Sequence, residues 1–425
     1  MGPDFALDDA QQAIVRLADE VLADDVDNPE RLGKSLAQAG LLTLAVPEAL
    51  GGAGLGVLET SLVLAELARR AAAVPATSTL GLGVLPVARW GSPEHQRDLL
   101  AGVGEGRVLT AALAEPGDPL PDTPRTTATS GWRVTGTKTG VTDAEQAYRI
   151  LVPVRRHTGG TAVALIDPGA KGVTVRRTAT SAGTSEFTVR MDGVAAEPLG
   201  PEADHRCVAD LHRFAVAAAC AAGDGALAGA LALTAEHLRT RHQFGRPLAT
   251  FQAVAQQIAD VYVTSRTLHL AVLSACWRLD ARHQRAASRE GAGREEAAGR
   301  EGVGRRGAGR EDTRWEEVAG RKDIAREELA SPRNATRGKG QGESSPERDE
   351  VERRADDDLW VAAYWLTSEA LPAVRSCHHL HGGLGLAVDY PLHRYSALLR
   401  DLARRLGGAE HCLHRLGGRV VHRPD

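Results

Sequence analysis

Apolar positions recur every three to four residues through the first hundred positions of the chain. Ile14, Leu17, Val21 and Leu22 mark a helix over Ala10–Ala23, and Leu62, Leu64 and Leu67, set against Glu66, Arg69 and Arg70, mark another over Thr60–Ala72. Between them Leu36, Leu41, Leu42 and Leu44 run up to a break at Pro47 and a glycine loop over 51–54. Ser92-Pro93-Glu94 has the order of an N-cap followed by proline in the first helical turn. After Arg107 the period changes. Short apolar runs over 108–114, 132–134, 150–154, 162–166, 173–175 and 187–191 are separated by Gly, Pro, Asp and Thr, with no helical pattern between them. This spacing predicts a small antiparallel sheet domain ending near Gly200. From Val208 the helical period returns: 211–238 reads as one long alanine-rich buried helix, followed by helices over 251–279, 359–380 and 395–406. The fold class is therefore α+β. An N-terminal all-α domain (1–107) and a middle β domain (108–200) precede a C-terminal, four-helix-bundle-like α domain (201–425).

One stretch departs from this pattern. Residues 283–356 carry 17 Lys+Arg and 17 Asp+Glu but only six large apolar side chains (Val303, Trp315, Val318, Ile324, Leu329 and Val351). Such a segment buries too little to offset its ordering entropy and reads as a mobile insertion, with transient helix over Trp315–Leu329. Outside it the composition is that of a globular protein: over the whole chain 43% of residues are hydrophobic and 25% charged, and the formal net charge is −4. A slightly acidic balance argues against a nucleic-acid binder. The five cysteines are widely spaced, which points to reduced thiols and a cytoplasmic setting. The first residues lack the pattern of a secretory signal, and no run reads as a membrane span.

Two motifs carry chemistry. Arg241-His242-Gln243-Phe244-Gly245-Arg246-Pro247-Leu248, then Phe251-Gln252, sits where one long helix closes and another opens. An arginine beside a glycine turn suits either a pyrophosphate or a simple helix cap. His378-His379-Leu380-His381-Gly382-Gly383-Leu384-Gly385 places three histidines within four residues, but no acidic or Cys ligand falls at matching helical spacing, so a dinucleotide backbone fits better than a metal.

With Ala114-Glu115-Pro116-Gly117, Val46-Pro47-Glu48, Gly51-Gly52 and Asp389-Tyr390-Pro391, these motifs in this order resemble the acyl-CoA dehydrogenases, in particular the actinobacterial branch acting on fatty acids, steroids and natural products. The resemblance covers the chain apart from the insertion. It implies FAD, with Arg241, Gln243 and Phe244 meeting its adenosine diphosphate part in an adjacent subunit. It further implies that Leu248, Gln252, His379, Gly382 and Gly383 complete that site, and that the Leu113-Ala114 backbone and Thr142 face the isoalloxazine ring. Two positions depart from the family pattern: Ala114 stands for a hydroxyl residue and Gly140 for a tryptophan on the flavin. The implied partners are an acyl-CoA or acyl-carrier thioester, a homo- or hetero-tetramer with a related chain, and an electron acceptor such as an electron-transfer flavoprotein.

The family reaction removes an α-proton while hydride passes from the β-carbon, and it needs a carboxylate within hydrogen-bond reach. The two positions where relatives place it fall on Leu406, or Gly407 with a one-residue shift, and on Ala215. The nearest acids on the long helix are Asp210 and Asp224; of these Asp210 is the candidate base, although both lie far around the helix from Ala215. A backbone N–H near Leu406, with a flavin hydroxyl, is the expected donor to the thioester oxygen. Three functions remain open. The chain is a dehydrogenase with its base elsewhere, a non-catalytic FAD- and acyl-CoA-binding subunit of a heterotetramer, or a flavin enzyme of this fold using oxygen or a carrier-bound substrate.

Overall fold

The computed structural model describes residues 5–25, 28–180, 184–200, 206–301 and 346–421. Five helices come first: α1 (Asp9–Asp25), α2 (Pro29–Gln38), α3 (Val57–Arg69), α4 (Leu85–Trp90) and α5 (Pro93–Leu100). Their starts follow local chemistry. Asn28 Oδ1 accepts from the Arg31 N–H before Pro29, and Ser92 Oγ accepts from the His95 N–H before Pro93. Ahead of α4, Thr77–Val84 winds as a wider π turn in which Gly81 lies against Ala218 and Gly83 against Leu109.

The sheet follows. Its long strands are β3 (Arg133–Thr142), β4 (Arg149–Arg156), β5 (Thr161–Ile166), β6 (Val173–Thr178) and β7 (Glu186–Ala195), with short β1 (Leu109–Ala111), β2 (Thr127–Ala128) and β8 (Glu197–Leu199). The strand order is β6-β7-β3-β2-β4-β5-β8, with β1 also on β4. The sheet is mixed and not purely antiparallel, because β1 and β2 both run parallel to β4. The two parallel partners span three residues and two, too short for period-2 patterning to reveal their direction.

The C-terminal helices are α6 (Arg206–Thr240), α7 (Gln252–Glu301), α8 (Pro346–Ser368), α9 (Ala370–His381), α10 (Leu392–Arg405) and α11 (Gly408–Val421). The stretch expected as one helix over 359–380 is two. Pro372 cannot donate inside a helix, but it is tolerated in the first turn of α9, which restarts at Ala370. A two-stranded hairpin, β9 (His242–Gln243) and β10 (Arg246–Pro247), joins α6 to α7. α6 is long and apolar enough to cross a bilayer, but 78% of its most apolar window is buried in the protein, as expected for the buried helix over 211–238. It is a core helix.

The chain divides into two compact units, Met1–Ala281 with Arg353–Asp425, and Arg282–Glu352. The charged insertion is thus narrower than 283–356. Asp356 is buried and holds Arg213 through both oxygens, at 2.6 and 2.9 Å, and so belongs to the first unit. Helix occupies both flanks of the insertion, in α7 and α8, whereas Trp315–Leu329 lies outside the described residues. In the first unit α7 and α8 are pinned by Asp358, which accepts from Ser274 Oγ and Arg278 Nε, each at 2.5 Å. One apolar core runs through the helices, and a second lies within the sheet around Val134, Ile150, Val152 and Phe187. None of the five cysteines forms a disulfide, and all are buried.

Candidate active site

A cavity opens where the π turn, β1, β3, α6 and α10 meet. It gathers residues that lie far apart in sequence: Leu113, Ala114 and Thr142 line it together with Ala215 and Leu406, the two positions where a base is sought. Thr77, Leu120, Gly140, Val216, Ala219 and Arg405 complete the wall that matters here. Among the described residues none of those lining it is an acid.

The polypeptide makes this surface in three ways. Past the end of β1 the chain runs free of the ladder, so the Leu113 and Ala114 N–H groups meet no acceptor among the described residues. Their carbonyls are held instead: Lys138 Nζ donates to Leu113 O at 3.3 Å, and the Thr139 N–H donates to Ala114 O at 2.9 Å. Small side chains on one face of α6 open space beside it. At the end of α10, Leu406 takes the C-cap position.

Lys138 is fully buried and pairs with Glu115 at 3.0 Å. Burial pushes the Lys138 ammonium down to about 8, while the Glu115 charge works against this. For Glu115 the burial penalty is outweighed by hydrogen bonds from Thr126 and Arg125 and by the Lys138 charge, which hold its carboxyl near 2. The pair braces the Leu113-Ala114 segment from behind.

The structure corrects several sequence expectations. Asp210 does not line the cavity: Trp90 Nε1 donates to Oδ2 at 3.1 Å and Arg213 pairs with Oδ1 at 2.9 Å, so both oxygens are committed to packing. Asp224 lies in a separate cavity with His269 Nδ1 at 2.8 Å. The one-residue shift to Gly407 fails as well, because Gly407 has φ +82° and a side chain there would meet His411 and Pro119. Nor are the N–H groups of Leu406 and Gly407 free. The Leu406 N–H bonds Leu402 O at 3.1 Å, and the Gly407 N–H bonds Arg404 O at 3.0 Å. Beside Gly140, where the resemblance places a tryptophan, sits an ion pair between Glu186 and Arg404. The sequence reading missed Arg405 altogether, since it searched for acids and Arg405 directly precedes the position searched.

The second group of residues lies elsewhere. Arg241, Gln243 and Phe244 belong to the hairpin, whose two-residue turn has φ +52° at Phe244 and +78° at Gly245. Phe244 is 92% exposed, with Phe251 edge-on at 6.1 Å. Leu248 and Gln252 follow on the same connection. One turn before Arg241, His237 stacks on His381 at 4.5 Å, which brings the α9 end with His379, Gly382 and Gly383 to the same end of α6. Within the histidine run, His378 Nδ1 meets Gly385 O at 2.9 Å and His381 Nε2 meets Tyr390 Oη at 3.0 Å, while His379 is exposed. Among the described residues no three His, Cys, Asp or Glu side chains come together to hold a metal.

Residues 6–107 match the family model for the N-terminal domain of acyl-CoA dehydrogenases, and residues 208–295 match the C-terminal domain model. The chain is 39% identical over 419 residues to acyl-CoA dehydrogenase FadE28 of Mycobacterium tuberculosis, covering 98% of each chain. In three dimensions it is similar to a chain of the ChsE4-ChsE5 complex from Mycobacterium tuberculosis, with a TM-score of 0.75, 29% identity, and 99% and 100% of the two chains covered. A variant of the Tcur3481-Tcur3483 steroid ACAD gives 0.74 and 30% identity over 97% and 98%.

Proposed function

Because the chain belongs to the acyl-CoA dehydrogenase family, whose members are FAD-dependent oxidoreductases, we propose that it works as one subunit of an enzyme dehydrogenating an acyl thioester, with a related companion chain supplying the proton acceptor. The observation that carries this reading is the cavity itself. It joins Leu113, Ala114 and Thr142 to both expected base positions, yet those positions are Leu406 and Ala215 and none of the described lining residues can accept a proton at neutral pH. The residues fit a flavin: Leu113 and Ala114 line the cavity, their adjacent backbone N–H groups have no acceptor among the described residues, and such groups are rarely left unmade in the absence of a ligand. A bound FAD would supply the two-electron hydride acceptor. Leu113, Ala114 and Thr142 would hold its ring in this chain.

The hairpin serves a different chain. Ala215 and Thr240 are separated by about 37 Å along α6 at 1.5 Å per residue, further than one dinucleotide reaches between the cavity and Arg241. Arg241, Gln243 and Phe244, with Leu248, Gln252, His379, Gly382 and Gly383 around them, therefore address the pyrophosphate and adenosine half of a neighbour's flavin. Exposed Phe244, Leu386 and Val388 fit burial against that neighbour. A companion distinct from this chain is supported by two similar structures that each pair two differently named proteins. Similarity to a steroid ACAD also supports a bulky alicyclic acyl group. Electrons would leave to an electron-transfer flavoprotein.

The test is anaerobic titration with straight-chain and steroid side-chain acyl-CoAs, following flavin bleaching for the chain alone and for the chain co-purified with its companion. Bleaching should be fast only with the companion. Fast bleaching by the chain alone would overturn the companion reading, and a colourless complex that gains nothing from added FAD would overturn the flavoprotein reading.

A further inference from the structure

A second cavity opens between α1, α3, α6 and α7, on a different face of α6 from the first. Asp224, Gly225 and Ala228 line it, whereas Ala215, Val216 and Ala219 line the candidate active site. Ala219 and Asp224 stand roughly 140° apart around the helix. At about 240 Å³ the cavity far exceeds the roughly 10–15 Å³ that one water needs. Much of its wall is apolar, formed by Leu7, Val15, Leu58, Leu62, Val272 and Leu273. Two polar side chains in it lack a partner. Asp224 and Ser265 are only 6% and 4% exposed. Asp224 Oδ2 is taken by His269 Nδ1 at 2.8 Å, but Oδ1 has no hydrogen bond among the described residues. The Ser265 hydroxyl, one turn before His269 on α7, has none either. Neither oxygen is among the polar atoms sealed inside the protein, so the surface that each residue keeps opens on the cavity.

We propose that this cavity is a second binding site, for a neutral and largely apolar molecule that carries a hydroxyl group. An apolar wall with a few polar groups is the usual make-up of a small-molecule site. A carboxylate oxygen can only accept, so the ligand must donate to Asp224 Oδ1, and a hydroxyl can at the same time accept from Ser265 Oγ. Its hydrocarbon body would cover the leucine and valine wall. The charged lining residues are two acids, Glu66 and Asp224, and two arginines, Arg69 and Arg266, so their formal charges cancel. That balance favours a neutral ligand over an amine or an acid. Water alone would satisfy Asp224 and Ser265 but leave the apolar side chains wetted.

The test titrates the full-length protein with cyclohexylmethanol, with its methyl ether and with cyclohexylmethylamine, following binding by ligand-observed NMR. The alcohol should bind about 10–100-fold tighter than the ether, which cannot donate to the carboxylate. It should also bind tighter than the amine. Asp224→Leu, similar in shape but without the acceptor, should bring the alcohol down to the affinity of the ether. Ala228→Leu, which fills the cavity from α6, should abolish binding of both. Equal affinity of wild-type protein for alcohol and ether, tighter binding of the amine, or no binding at all would overturn the proposal. So would a preference for the alcohol that survives Asp224→Leu, because the hydroxyl would then lie elsewhere, as in the candidate active site. Should the Asp224 variant not fold, Ala228→Leu decides, and unchanged binding there overturns the site. No probe carries a thioester, so failure here leaves the acyl-thioester reading standing.

Discussion

Leu406 lines the cavity at the position where the resemblance places a carboxylate, so Leu406→Glu should give the isolated chain a proton acceptor. General-base catalysis is typically worth about 10²–10⁴-fold, and single-turnover flavin reduction by an acyl-CoA should rise within that range. No rise, in a variant that still holds flavin, would mean that the cavity is not where the thioester binds. A second residue-scale prediction concerns Glu115. Glu115→Gln leaves the Lys138 ammonium buried without its partner, and loss of one partner of a buried pair is destabilising by about 3–5 kcal/mol, measurable by denaturant unfolding. The folded pKa of Glu115, about 2, lies below its unfolded value of about 4.5. Its contribution is therefore complete above the unfolded value and is lost as pH falls toward 2. The acid limb of the wild-type stability curve over that window should flatten in the variant, and an unaltered limb would assign acid unfolding to other carboxylates. The motif residues were legible in the sequence because each motif is contiguous. Arg405 and the capture of the Leu406 N–H were not, since both depend on where α10 ends.

Among the elements α6 organises the molecule, and its glycines show how. A Cβ on Gly225 would run into the Ala65 carbonyl of α3, one on Gly229 into the Arg69 carbonyl and the Tyr395 ring, and one on Gly223 into Leu366. These glycines let α3, α8 and α10 approach the α6 backbone, and the close fit sets how the wall bearing Ala215 and Ala219 stands against the cavity. Gly225→Ala should destabilise by about 1–3 kcal/mol despite the better helix propensity of alanine, because the obstacle is backbone that cannot rotate away. A neutral or stabilising result in urea unfolding would show that the two helices can separate freely. The period-3.6 pattern made α1, α3, α6 and α7 readable, and alternation did the same for the long strands. It could not show the α8–α9 break, where Pro372 is compatible with either a kink or a restart, nor the short parallel partners β1 and β2. Nor did it mark α11, which Gly407 and Gly408, at φ +82° and +79°, separate from α10.

At the scale of the whole molecule, the order of helices, sheet and helices was visible from the change of period alone. The extent of the charged segment was not, because composition blurs its edges: Ala355 and Asp356 look like its tail, yet they are buried in the first compact unit. Assembly was visible only through the resemblance, and the exposed side chains of Phe244, Leu386 and Val388 now give it a physical basis. The thiols carry a further consequence. Cys207, Cys220, Cys276, Cys377 and Cys412 are spread through α6, α7, α9 and α11, all buried, and burial raises the pKa of Cys220, Cys276, Cys377 and Cys412. An unionised, covered thiol does not attack a disulfide reagent. The chain therefore contains its own clock for helix opening. Each cysteine can react only as often as its helix comes loose, and mass-resolved labelling would time the four helices separately. Labelling of Cys207 and Cys220 should lag the others if α6 is the last to loosen, whereas simultaneous labelling of all five would mean that the helices open as one.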